Sequence, residues 1–276
     1  MSSDEYGVIG HPIAHSLSPV IHGLFAEQTD QTLRYRAIDI APAALKGELK
    51  RLFRRGVRGL NVTMPHKTSV IKLCHSVTER AQLAGACNTL IRDAKGRILG
   101  DTTDGAGLAH DLTETLGLDL ASKKILLLGA GGSVWSVAGD LLALSPGQLV
   151  IANRTLSKAQ RVAAAFDDLG PVSAMGMDSV AGSFDLVLNA TSSTVHGALP
   201  QINPECVSDA VCYDLMYGAD GTPFTQWCDE QGASAVHTGI GMLVEQAALS
   251  FEIWRGVRPQ TEPVREALLE RYGFQF

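Results

Sequence analysis

The chain lacks the marks of several protein classes. No apolar run approaches the roughly 20 residues that cross a bilayer. Five cysteines occur in 276 residues. Cys74, Cys87, Cys206, Cys212 and Cys228 are odd in number and scattered without the CxxC spacing of zinc or redox chemistry, and read as reduced cytosolic thiols. The eight histidines include no HExxH and no paired Cys/His spacing, so no metal site is expected. Lysine and arginine total 23 against 29 acids, a net charge of −6, whereas a nucleic-acid binder needs a clustered basic surface. The one basic concentration, Lys50, Arg51, Arg54, Arg55 and Arg58, interleaves with Leu49, Leu52 and Phe53 at helical spacing and reads as a solvated helix face. The opening Met1-Ser2-Ser3-Asp4-Glu5 carries no basic segment followed by an apolar one, so neither export nor a membrane anchor is expected and the cytoplasm is the expected location. Internal repeats and low-complexity tracts are also missing.

What is present suits a folded enzyme-sized chain. Hydrophobic residues make up 45% and charged ones 19%, and a chain of this length sits where single cores stop growing, so two lobes are expected. In the first, Tyr6–Gly10, Tyr35–Ile40 and Gly59–Met64 read as strands. Helices are expected at Pro19–Gln28, with Ser18 as N-cap, and at Ala43–Arg55. Asn88–Arg92 and Arg97–Leu99 flank a turn at Asp93–Gly96, so this α/β lobe should carry a mostly parallel or mixed sheet. In the second, a helix at Gly107–Leu116 leads to short apolar strands at Ile125–Leu128, Leu149–Ala152, Leu186–Ala190 and Val211–Leu215, with Val236 as a last candidate. This alternation predicts a Rossmann-like doubly wound sheet. Helices at Met242–Trp254 and Pro263–Tyr272 complete the chain. The expected divisions are 1–104, 105–239 and 240–276, with the last closing back onto the first lobe around a cleft.

The strand Ile125–Leu128 runs into Gly129-Ala130-Gly131-Gly132-Ser133-Val134-Trp135 and then a helical pattern. Glycines there let the backbone approach a pyrophosphate, and the N–H groups and dipole of the following helix favour its charge. Val134 stands at the third glycine position of GxGxxG, so the loop alone is a weak motif. The next strand ends in Asn153-Arg154-Thr155, with Lys158 following. An acid at that place would bind the ribose hydroxyl of NAD; Arg154, Thr155 and Lys158 suit the extra phosphate of NADP instead, with NAD the lesser alternative. Trp135 could stack beside an adenosine or pack between sheet and helix.

Outside this loop lie four polar clusters: Ser16-Leu17-Ser18-Pro19, Asn61-Val62-Thr63-Met64-Pro65-His66-Lys67, Gly85-Ala86-Cys87-Asn88-Thr89 and Gly100-Asp101-Thr102-Thr103-Asp104-Gly105. They resemble the SxSP, NVTxPxK, GAxNT and GDNTDG segments of shikimate dehydrogenases. The resemblance continues through Asn153-Arg154-Thr155, Asn189-Ala190-Thr191-Ser192, Tyr213-Asp214-Leu215-Met216-Tyr217 and Gly241-Met242-Leu243-Val244-Glu245-Gln246, so it covers essentially the whole chain.

That resemblance implies an NADP-dependent interconversion of shikimate and 3-dehydroshikimate. It implies that Ser16 and Ser18 bind the substrate carboxylate, that Asn61, Thr63, Asn88 and Gln246 orient ring hydroxyls, and that Tyr217 is a further substrate contact. Lys67 and Asp104 are the implied catalytic pair, with Lys67 transferring the proton and Asp104 holding it and the substrate. Thr191, Leu215, Gly239 and Met242 join the implied cofactor contacts. Thr102 departs from the Asn of GDNTDG, Val134-Trp135 from the smaller or basic residues usual after GAGG, and Thr238 from an Asp. A quinate dehydrogenase is the nearest competing enzyme, disfavoured by Ser18 where a quinate-type SxT pattern would have Thr, and the departures leave a low-activity paralogue acting on a related hydroxyacid as a further alternative. An NADP-responsive binding protein without turnover is the competing class. Beyond a small-molecule substrate no partner is expected, and monomer and homodimer both remain open.

Overall fold

The computed structural model describes residues 3–191 and 199–273, so Ser192 of the quoted motif lies outside the described residues. The chain divides into two compact units, 1–107 with 244–264, and 108–243 with 265–276. The units change over at 107/108 and 243/244, where the sequence suggests 104/105 and 239/240, and the C-terminal residues are shared between them.

The first unit holds β1 (Asp4–Gly10), α1 (Ser18–Gln28), β2 (Leu33–Asp39), α2 (Leu45–Arg54), β3 (Gly59–Val62), α3 (Lys67–Val70), β4 (Ser76–Val77), α4 (Glu79–Ala84), β5 (Thr89–Arg92), β6 (Ile98–Asp101) and the start of α5 (Asp104–His110). Its six strands run in the order β2-β1-β3-β5-β6-β4. β1 is parallel to β2 and β3, while β5 is antiparallel to both β3 and β6, making the sheet mixed. On α2 the helical spacing buries Leu45, Leu49, Leu52 and Phe53 against the sheet and leaves the basic residues on the other face, where Arg51 pairs with Glu48. Each such aliphatic side chain contributes about 1.5–3 kcal/mol when fully buried. Ser18 is the first helical residue rather than the cap of α1: the cap position is Leu17, and the Ser18 N–H is taken by Ser16 Oγ at 3.3 Å. The Ser16 hydroxyl thereby accepts one of the N–H groups that have no partner within the helix at its start.

The second unit holds β7 (Lys124–Leu128), α6 (Gly132–Ala143), β8 (Gln148–Asn153), α7 (Leu156–Phe166), β9 (Val172–Gly176), β10 (Leu186–Asn189), β11 (Val211–Asp214), α8 (Pro223–Glu230) and β12 (Ala235–Thr238). Two last helices, α9 (Ile240–Arg255) and α10 (Glu262–Tyr272), follow. Its sheet is wholly parallel in the order β12-β11-β10-β7-β8-β9. Period-two alternation sends Ile125, Leu127, Leu149 and Ile151 to one face and Leu126, Leu128, Val150 and Ala152 to the other, and both faces are core. A strand buried on both sides must be apolar throughout, which is why these strands read as unbroken hydrophobic runs. The order reverses between β7 and β10, the switch point at which doubly wound sheets receive ligands beyond their carboxyl ends. Among the described residues no helix is long and apolar enough to cross a membrane.

Candidate active site

In the first unit the polar clusters converge on one hydrogen-bonded chain. Lys67 opens α3 and Asp104 opens α5; Lys67 Nζ donates to Asp104 Oδ2 at 2.7 Å, with the two side chains 22% and 5% exposed. The other carboxylate oxygen accepts from Asn88 Nδ2 at 2.8 Å. Asn88 is oriented by its second atom: Oδ1 accepts the Thr103 N–H at 2.9 Å. A backbone N–H can only donate, so the amide nitrogen must face Asp104. The backbone completes the frame, since Cys87 N–H donates to the Lys67 carbonyl and Asn88 N–H to that of Asp101.

Asn61 and Gln246 join the same network. Asn61 Nδ2 donates to Ser250 Oγ at 2.9 Å and to the Asn88 carbonyl at 3.2 Å, while its Oδ1 accepts from Tyr35 Oη at 2.8 Å. Both amide hydrogens are therefore committed inward, and what Asn61 retains for a ligand is an acceptor lone pair on Oδ1. Gln246 Oε1 accepts from Asn88 Nδ2 at 3.1 Å. Ser250, fully buried on α9, touches Asn61, Thr89 and Thr103 and donates to the Gln246 carbonyl at 3.0 Å. Ser16 and Thr63 are half-buried and Ser18 is buried in this unit. His66 turns away from Lys67 and bonds the Ile40 carbonyl at 2.7 Å, a structural contact.

Tyr35, Thr89, Thr103 and Ser250 carry no role in the sequence reading. Thr89 and Thr103 lie inside the recognised GAxNT and GDNTDG segments, so a signal was present for those two. Nothing local marks Tyr35 or Ser250, because each acquires its partners only through residues far away in sequence. Tyr217 falls in the second unit, whereas the other expected substrate residues belong to the first.

In the second unit Gly129 follows β7 at φ +115°, and a Cβ there would lie 3.1 Å from the Ala190 carbonyl oxygen. This is a left-handed position that glycine adopts without strain. Gly131 is exposed and a Cβ on it would meet nothing within 4 Å, so its backbone is open to an approaching group. Gly132 and Ser133 open α6, whose N-terminal N–H groups follow Ala130 and Gly131. Val134 is fully buried and lies 3.4 Å from the position of a Gly129 Cβ. At the third glycine position it fills core beneath the turn. Trp135 packs on Phe166 with ring centroids 5.8 Å apart, which is the packing alternative.

β8 ends in Asn153, whose side chain donates to the Thr155 carbonyl at 3.0 Å. Arg154, Thr155 and Lys158 are exposed just beyond. Two cationic side chains with no acid between them fit a phosphorylated ribose. Thr191 bonds Asn189 Oδ1 through both its N–H and its hydroxyl. Gly239 is pressed against Leu215, whose carbonyl oxygen would lie 2.2 Å from a Cβ, and Met242 is buried in the core of this unit. Burial raises the Tyr217 phenol above its ordinary value, so it stays protonated at neutral pH.

The chain matches three family models: a shikimate dehydrogenase substrate binding domain over residues 8–90, a shikimate/quinate 5-dehydrogenase over 108–209, and a shikimate 5'-dehydrogenase C-terminal domain over 239–269. It is 49% identical over 267 residues to a shikimate dehydrogenase (NADP(+)) of Methylococcus capsulatus, covering 96% of each chain. Among solved structures it is similar to an Ael1 enzyme from Pseudomonas putida, with TM-score 0.89 and 40% identity over 96% of this chain and 98% of that one. It is also similar to the shikimate 5-dehydrogenase of Thermus thermophilus in complex with NADP(H) and shikimate, with TM-score 0.85 and 31% identity over 97% and 99%. The chain belongs to the shikimate/quinate dehydrogenase family.

Proposed function

We propose that the chain is an NADP-dependent shikimate dehydrogenase, interconverting shikimate and 3-dehydroshikimate, with the substrate bound by the first unit and NADP by the second. The observation that carries this reading is the Lys67–Asp104 pair at 2.7 Å, itself locked by Asn88. NADP, when bound, accepts or supplies the hydride. In the direction of reduction, Lys67 Nζ donates a proton to the substrate carbonyl oxygen as the carbon receives hydride; in oxidation the same nitrogen takes the hydroxyl proton. Asp104 balances the ammonium and fixes its direction.

Ser16 and Ser18 receive the carboxylate of the substrate. Thr63, Asn88 and Gln246 address ring hydroxyls, and Asn61 takes a hydroxyl as acceptor through Oδ1. Tyr217 is a further substrate contact. Gly129 to Ser133 would cradle the pyrophosphate; Arg154, Thr155 and Lys158, beside Asn153, would hold the 2′-phosphate; Leu215, Gly239 and Met242 would border the nicotinamide, with Thr191 a further cofactor contact. The cytoplasm suits this reading, since all five cysteines are unpaired thiols.

The test is an initial-rate assay at the nicotinamide absorbance, with shikimate and quinate each offered with NADP and NAD. Shikimate-dependent NADPH formation is expected to dominate. Equal or faster turnover of quinate would move the enzyme to the other specificity of its family, and cofactor binding without turnover would make it a binding protein.

A further inference from the structure

A buried carboxylate holds the start of α9. Asp111, in the widened helical turn that continues α5 (Asp111–Thr115), is 2% exposed, and fully buried Tyr213 of β11 donates its Oη–H to Asp111 Oδ2 at 2.7 Å. The same phenolic oxygen accepts the Met242 N–H at 3.2 Å. Gly241 presses onto the carboxylate: a Cβ there would lie 2.2 Å from Asp111 Oδ1 and 2.3 Å from Oδ2. One step earlier, Gly239 N–H donates to the Met216 carbonyl at 3.0 Å, and its α-carbon abuts the Leu215 carbonyl. The turn 239–242 is thus gripped on one side by the backbone after β11 and on the other by the Asp111–Tyr213 pair.

The chemistry of this grip is specific. A tyrosine hydroxyl can donate to a carboxylate and accept from a peptide N–H at once, and the charged acceptor strengthens the first bond. Burial, and then the Asp111 charge beside it, hold the phenol far above its ordinary titration range, so the donor is permanent at neutral pH. A negative charge at the first turn of a 16-residue helix also suits the helix dipole. Phenylalanine at 213 would leave the carboxylate and the Met242 N–H each without this partner.

We infer that Asp111 and Tyr213 are positioning residues for hydride transfer, holding the Leu215 and Gly239–Met242 segments that border the nicotinamide. The inference rests on the proposed dehydrogenase reading. Both side chains are buried, and both act through the turn they clamp. Hydride transfer requires reacting atoms about 3–3.5 Å apart, and a misplacement of about 1 Å can cost about 100-fold in rate.

The test is a single-turnover measurement on full-length protein. Enzyme in excess over NADPH is mixed with saturating 3-dehydroshikimate, and the absorbance decay gives a rate constant and an amplitude. For Tyr213→Phe the rate constant is expected to fall by about 10- to 100-fold with amplitude retained. Shikimate KM should change far less than the rate constant, because Ser16, Asn88 and Gln246 belong to the first unit and only Tyr217 of the proposed substrate contacts belongs to the second. A merely structural role would lower the amplitude, the competent fraction, and leave the rate constant unchanged; that result overturns the inference. Asp111→Ala, which removes the acceptor of Tyr213, carries the same test should Tyr213→Phe fail to fold, and an unchanged rate constant there overturns it equally. Absence of turnover in the unmutated protein would instead overturn the dehydrogenase reading itself.

Discussion

Asn88 donates to Asp104 Oδ1 at 2.8 Å, on the carboxylate oxygen that Lys67 does not use. Asp104 is thus held from two sides, and the ammonium of Lys67 is aimed by a carboxylate that has no freedom to turn.

If Lys67 moves the proton, Lys67→Ala should lower turnover by at least about 100-fold while leaving NADP affinity unchanged, since the proposed cofactor residues lie in the other unit. Asn88→Asp probes the same chain differently. Two carboxylates would then face one another, one would take up a proton more readily, and the acid limb of the rate–pH profile should move to higher pH. Initial rates from pH 5 to 9 read both variants; near-normal turnover of Lys67→Ala would remove the lysine from the mechanism.

Arg154 separates the two cofactors. A guanidinium that binds the 2′-phosphate interacts with a group NAD does not have, so Arg154→Ala should weaken NADPH by about 10-fold or more and NADH hardly at all. Titration of nicotinamide fluorescence measures each affinity directly. Equal losses for the two cofactors would assign Arg154 to the shared part of the dinucleotide or to the fold.

The second sheet was legible because its strands obey one rule: buried on both faces, they are apolar at every position, as in Ile125–Leu128 and Leu186–Leu188. β9 escaped because Val172, Ser173 and Ala174 form a half-exposed edge whose composition has no such pattern. In the first unit Lys67, Asn88 and Asp104 stood out by motif, but the orientation of each amide did not. It follows from which neighbour can only donate, as the Thr103 N–H does for Asn88, and that is known only once distant segments meet. The Ser250 hydroxyl and the Asp111–Tyr213 bond, spanning 102 positions, were illegible for the same reason.

His22 makes the first unit sensitive to acid. It is fully buried, stacked on Tyr35 at 4.1 Å and near Phe25, Phe251 and Trp254, and burial depresses its pKa to about 3. The unfolded chain binds this proton below about pH 6.5 and the folded chain only below about pH 3, so stability is present above the unfolded value and falls as pH drops through that window. At pH 5 the loss should be about 2 kcal/mol relative to pH 7.5. Urea unfolding at the two pH values measures it, and His22→Phe should remove that part of the difference. An unchanged pH dependence in the variant would show that other groups set the acid limit.

Gly107 offers a way to move Gln246 without altering it. A Cβ at 107 would lie 2.7 Å from both the backbone nitrogen and the Cβ of Gln246, and 2.9 Å from its Cα, so α9 must shift locally in Gly107→Ala. Overpacking of this kind costs about 1–3 kcal/mol. Because Gln246 and Asn88 share a hydrogen bond at 3.1 Å, the shift should loosen the hydroxyl-binding side of the network and leave the Lys67–Asp104 distance intact. The expected result is a shikimate KM raised by about 5- to 50-fold with kcat changed far less, the pattern of lost ground-state binding. A fall in kcat with KM unchanged would instead place Gln246 among the groups that act only in the transition state.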